Sequence, residues 1–118
     1  MTAHPAEPDG PLIPRPEKTF PALRAALAQV APSRLPEMTA ERDTVFTMAT
    51  QHNSFGPIAM FQLKWATVIE IERFPGIAQR FHAAEQAAQG AEDREALDHA
   101  MCEIREIMDH ARAQVAGE

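Results

Sequence analysis

The sequence predicts an all-α protein: a compact bundle of about five helices behind a disordered proline-rich tail, ending in a helical hairpin. Three observations carry that expectation. Alanine supplies 22 of the 118 residues, tyrosine is absent and valine is scarce. Alanine favours helix because it loses no side-chain entropy, whereas strands draw on β-branched and aromatic residues. Apolar residues recur at three-and-four spacing over most of the chain, and Pro and Gly punctuate where such runs start and stop.

Residues 1–18 carry five prolines among small and polar residues and show no periodicity. Too little apolar surface is available to offset the entropy of ordering, so a disordered or polyproline-like tail is expected. It has no apolar run and does not read as a signal peptide. A single helical domain over 19–116 follows, and one core suffices for a chain of this size.

The first helix is "TFPALRAALAQVAP": Thr19 can cap it, Pro21 sits in its first turn, and Leu23, Leu27 and Val30 share a face. The second runs through "SRLPEMTAERDTVFTMATQHNSFG", with Ser33 as the expected cap and Met38, Val45, Met48 and Ala49 on one side. "HNSFG" breaks it.

"GPIAMFQLKWATVIEIERFPG", residues 56–76, is the densest apolar stretch and holds the only tryptophan, Trp65. "VIEIERF" alternates like a strand, but no convincing partner strand occurs elsewhere. As a helix it starts at Pro57 and places Phe61, Trp65, Val68 and Ile69 on one arc as core anchors. Met60, Leu63, Ile71 and Phe74 form a second arc, so this helix is expected at the centre. Lys64, Glu70, Glu72 and Arg73 interrupt it, and no stretch reaches the roughly 18–20 apolar residues of a membrane span.

Pro75 can begin a fourth helix, with Ile77, Phe81, Ala84 and Ala88 on one face and Gly90 at its end. In the fifth, Leu97, Met101, Ile104, Met108, Ala111 and Val115 step alternately by four and three, a seam fit for a partner helix. A loop at Gly90 makes the last two helices an antiparallel hairpin. One continuous helix through Gly90 is the rival.

Net charge is −6, and the eleven Lys and Arg are spread singly. That pattern argues against direct nucleic-acid binding, which needs a clustered basic face, and favours basic partners. Cys102 is the only cysteine, so no intrachain disulfide can form, in keeping with a cytoplasmic setting.

No residue set points to a reaction, and the reading is not an enzyme and has no cofactor. His99, Cys102, Glu106 and His110 are metal-ligand types on one helix face. A straight stripe fans its side chains apart, however, whereas zinc needs three or four converging ligands. Cys102 beside His99 lacks an orienting group and oxyanion donors. His52 and His82 read as caps or surface histidines. Glu72 falls within the apolar arc of the central helix and is expected in a buried ion pair with Arg24, or else Arg73 or Arg80. Leu97, Met101, Ile104 and Met108 are the interface candidates, either folded back inside or presented to another chain, including a second copy.

"LRAALAQVAPSRLPEM" followed by "GPIAMFQLKWATVIEIERFPGIAQRFHAAEQAA" resembles small actinobacterial proteins of unknown function. These share a proline-rich start, an L-R-A-A-L helix, a central K-W helix and an I-E-R-F-P ending. The resemblance covers residue 11 to about residue 90 and is most specific around Arg24, Trp65, Glu72 and Pro75. It implies no reaction and favours an antitoxin-like or regulatory role. The expected function is therefore a non-enzymatic helical protein-interaction module with a protein partner. The alternative is a small ligand- or metal-binding helical bundle.

Overall fold

The computed structural model describes residues 10–117. Five helices follow one another: α1 (Phe20–Val30), α2 (Leu35–His52), α3 (Gly56–Glu72), α4 (Pro75–Gln89) and α5 (Arg94–Ala116). No strand occurs among the described residues, and no described helix is long and apolar enough to cross a membrane. "VIEIERF" falls at the end of α3, and α3 touches all four other helices.

Local chemistry sets the boundaries. Thr19 accepts a hydrogen bond from the Ala22 amide at 3.3 Å, as its position before α1 predicts. Ser33 does not cap α2. It lies in a 3₁₀ turn over Pro32–Arg34, and α2 begins behind it. Arg34 instead reaches forward to both oxygens of Glu37, each at 3.0 Å. Asn53 closes α2 with φ of 51°, a left-handed conformation that asparagine tolerates better than most residues.

The last two helices form the hairpin, not one continuous rod. Gly90 ends α4, and Asp93 restarts the chain by accepting the Ala96 amide at 2.8 Å. A capping aspartate offers the backbone an alternative to continuing the previous helix. Asp93 is the signal that settles the choice, and it is present in the sequence.

The larger core lies on one side of α3. Phe61, Trp65 and Ile69 are buried there against Leu23, Ala26 and Leu27 of α1, Met38 and Val45 of α2, and Val115 of α5. Trp65 is completely enclosed, and its indole N–H donates to Glu41 at 3.2 Å. Arg34 lies 5.0 Å above the ring. The expected anchors thus hold for three residues, while Val68 is only half-buried. A smaller cluster joins Ile71 to Ile107 and Ala111 of α5, with Ile77 and Phe81 of α4 packed on it.

The expected tail is corrected over its second half; residues 1–9 lie outside the described residues. Residues 10–18 form no helix, yet they are strapped to the end of α3 and to α5. The Leu12 amide donates to the Arg73 carbonyl at 2.7 Å, and the Arg73 guanidinium donates to the Ile13 carbonyl at 2.9 Å. Arg15 grips both oxygens of Glu70 at 2.9 Å, and Lys18 donates to the Val115 carbonyl at 2.6 Å. Ile13 packs on the core. Apolar content alone underestimates this segment, because its anchors are charged hydrogen bonds. Its prolines also narrow the unfolded ensemble and so reduce the entropy lost on ordering.

The buried ion pair is also corrected. Glu70 and Arg73 are 5% and 7% exposed and bonded at 2.9 Å, with Arg15 completing the triad. Burial pushes the Glu70 carboxyl up, but Arg15 and Arg73 together outweigh it and hold the group below its ordinary value. The expected Glu72–Arg24 pair does not form, since Arg24 stands on the exposed face of α1. Two residues advance a helix by about 200°, so Glu70 faces the strap while Glu72 faces α4.

Candidate functional site

The predicted seam on α5 is only partly used inside the fold. The residues α5 buries are Ala100, Ile107, Ala111 and Val115. Leu97, Met101 and Met108 are 38%, 40% and 45% exposed, and Ile104 is half-buried. The stripe that packs is therefore rotated from the one the heptad spacing selects. Small side chains explain the rotation: Ala100 and Ala111 on α5, and Ala84 on α4, permit close approach of the helix backbones. The longer Leu and Met side chains are left along the edge.

That edge is one wall of an apolar groove of about 460 Å³. Thr67, Val68 and Ile71 of α3 line it, with Phe81 of α4 and Met101, Ile104 and Met108 of α5. Leu97 continues the ridge one turn before Met101. The half-burial of Val68 is explained here, since it faces the groove as well as the core. Methionine lining suits an adaptable surface, because the unbranched thioether repacks against different shapes.

Charged residues rim the groove: the cations Arg34, Lys64, Arg105 and Arg112, and the anions Glu72, Glu85 and Asp109. Most are engaged within the protein. Lys64 donates to Glu41 at 2.9 Å, and Arg34 is held by Glu37, which keeps the guanidinium above its ordinary value. Arg34 in turn holds the Glu37 carboxyl below its ordinary value.

At the α4 end, the two nitrogens of His82 meet two carboxylates, Nε2 to Glu72 at 2.6 Å and Nδ1 to Glu85 at 3.0 Å. Only the imidazolium can donate from both nitrogens. Burial pushes His82 down, but Glu85 and Glu72 together outweigh it and raise its pKa above the ordinary value. His82 is thus the partner that Glu72 was expected to find in an arginine. It is a clamp between α3 and α4, not a helix cap. His52 is the exposed last residue of α2.

His99, Cys102, Glu106 and His110 stand exposed on the outer face of α5, away from the groove. Among the described residues, no three His, Cys, Asp or Glu side chains come together where they could hold a metal ion. Cys102 and His99 have no converging donors around them.

A second apolar surface lies at the α2–α3 turn. Phe46 and Phe55 are exposed there, lining a shallow depression with Ile58, while Met48 and Met60 are exposed elsewhere on α2 and α3. Sequence reading found the methionines but missed the α3 and α4 sides of the larger groove. It also did not bring Arg105 and Arg112 together beside the seam, although their seven-residue separation puts them on one side of α5.

No protein-family model, curated protein or solved structure matches this chain.

Proposed function

We propose that the chain is a cytoplasmic, non-enzymatic protein-interaction module that receives its partner in the α3–α4–α5 groove. One observation carries this reading: the Leu97–Met101–Met108 ridge is exposed along an apolar groove, beside the Ala100–Ile107–Ala111–Val115 stripe that α5 buries inside the fold. Exposed apolar surface next to a charged rim is the usual composition of a docking site. An antitoxin-like or regulatory role is the form the sequence resemblance favours, and the net charge of −6 attracts basic proteins at long range.

Site-specific crosslinking tests the reading. A photoreactive residue at position 101 or 108 should capture a protein in the source cells, whereas one at position 99 or 106 should not. The capture should disappear when Met108→Glu is introduced beside a position-101 probe. Equal capture from both faces, or none from the groove, would contradict the reading.

A second reading has its own support. A groove of about 460 Å³ lies within the range of roughly 300–1,000 Å³ typical of small-molecule sites. A small apolar ligand would raise the melting temperature without capturing a protein, and the two readings separate on that point. A homodimer would show as a doubled mass by light scattering, lost in Met101→Glu/Met108→Glu.

A further inference from the structure

Two cations on the α5 wall of the groove form no ion pair among the described residues, although Asp109 stands one helical turn from each. Arg105 and Arg112 line the groove with Met101 and Met108, yet neither makes an ion pair or side-chain hydrogen bond among the described residues. The other rim cations are occupied, Arg34 by Glu37 and Lys64 by Glu41. Two rim carboxylates, Glu72 and Glu85, are both held by His82. What the groove offers a newcomer is an apolar ridge flanked by unpaired arginines.

Asp109 also lacks an ion pair, but it stands farther from the ridge. With 3.6 residues per turn, Arg112 and Arg105 lie about 40° and 60° round the helix from Met108, and Asp109 about 100°. A ligand seated on Met101 and Met108 therefore meets the arginines first. The two are seven residues apart, about 10.5 Å along the axis. That is the spacing of two side chains on one face of another helix.

We propose that the groove receives an amphipathic helix of a partner protein, whose apolar ridge is flanked by carboxylates that pair Arg105 and Arg112. The proposal rests on the interaction-module reading and fixes the chemistry of the partner at the point of contact. Two considerations favour a helix over an extended peptide. The ridge from Leu97 to Met108 runs about 16 Å, roughly three turns, and repeats at the interval a facing helix matches. An extended chain that docks by adding to a sheet edge finds none among the described residues.

Net charge governs long-range attraction, but the charges at the contact decide which partner stays. The whole chain is acidic, at −6, while the unpaired charges nearest this ridge are arginines, with Asp109 farther round the helix. The attraction to basic proteins inferred from composition therefore does not describe this groove.

The probes are two synthetic helical peptides of about 14 residues with leucine at matching three-and-four spacing, one flanked by glutamate and one by lysine. Fluorescence anisotropy measures both against the full chain and against Arg105→Glu/Arg112→Glu, whose fold is checked by circular dichroism. The glutamate peptide should bind the wild type and lose at least about tenfold in affinity on the charge reversal. The lysine peptide should show the opposite order. Equal binding of both peptides, binding of the lysine peptide alone to the wild type, or binding of neither would overturn the acidic-helix proposal.

Wild-type binding of the lysine peptide alone, abolished by Met108→Glu, would overturn the proposal yet leave groove docking standing. Decanoate binding the groove while both peptides fail would overturn the proposal and favour the small-molecule reading. Loss of the interaction-module reading itself is measured separately, by the crosslinking pattern at positions 101 and 99.

Discussion

The central face of α3 and the seam of α5 have the same kind of apolar periodicity but different fates. Phe61, Trp65 and Ile69 are at most 3% exposed, whereas Leu97, Met101 and Met108 are 38–45% exposed. Periodicity says which residues share a face. It does not say whether anything arrives to cover that face. On α3 the cover is α1, α2, the end of α5 at Val115 and the strap. On α5, Ala100, Ile107, Ala111 and Val115 serve the internal contact, and Leu97, Met101 and Met108 remain for another use.

The sharpest way to test that contrast is to compare truncations on the two sides. Trp65→Ala should cost about 3–5 kcal/mol in chemical denaturation, because it removes a fully enclosed ring. Met101→Ala/Met108→Ala should cost less than about 1 kcal/mol, because exposed positions contribute little to folding. Comparable losses on the two sides would mean that the seam is part of the core.

Glu70→Ala should fall at the large end as well, by about 3–5 kcal/mol, because it leaves Arg73 buried without its carboxylate. The change should also release the strap, detectable as faster amide exchange at Leu12. Acid does the same job gradually. The folded-state pKa of Glu70 lies below its ordinary value of 4.5, so its contribution is present above that pH. It is lost as the pH falls through the folded value.

On the groove side the expected pH effect is smaller and of opposite sense. The folded-state pKa of His82 is raised above 6.5, so protonated His82 stabilises the fold. That contribution is complete below about pH 6.5 and disappears as the pH rises through the folded value. His82 is half exposed, and solvent screening limits its share to less than about 1 kcal/mol. Melting temperatures from pH 6 to 9 should decline in the wild type and decline less in His82→Gln, to the extent of about a degree or two.

Much of this fold was legible from the sequence, and the reasons differ by region. Thr19, Pro57 and Pro75 act locally, so their positions alone located three helix starts. The central place of α3 followed from apolar residues on two of its sides. The strap was not legible. Arg15 and Glu70 are 55 residues apart, and nothing local links a proline-rich segment to a carboxylate at the far end of a helix. Glu72 was recognised as anomalous but assigned the wrong cation, because which face of α3 meets α4 is a tertiary fact. The groove was half legible: its methionine wall is a single-helix pattern, whereas its depth needs three helices together.

Methyl spectra of the five described methionines test the central claim most directly, because these side chains sample every part of the contrast. Met38 is buried in the core, Met48 and Met60 lie on the α2–α3 side, and Met101 and Met108 line the groove. On adding the glutamate-flanked helical peptide, the resonances of Met101 and Met108 should move together while those of Met38, Met48 and Met60 stay in place. Movement confined to Met48 and Met60, or no movement of the groove pair at saturating peptide, would contradict the account.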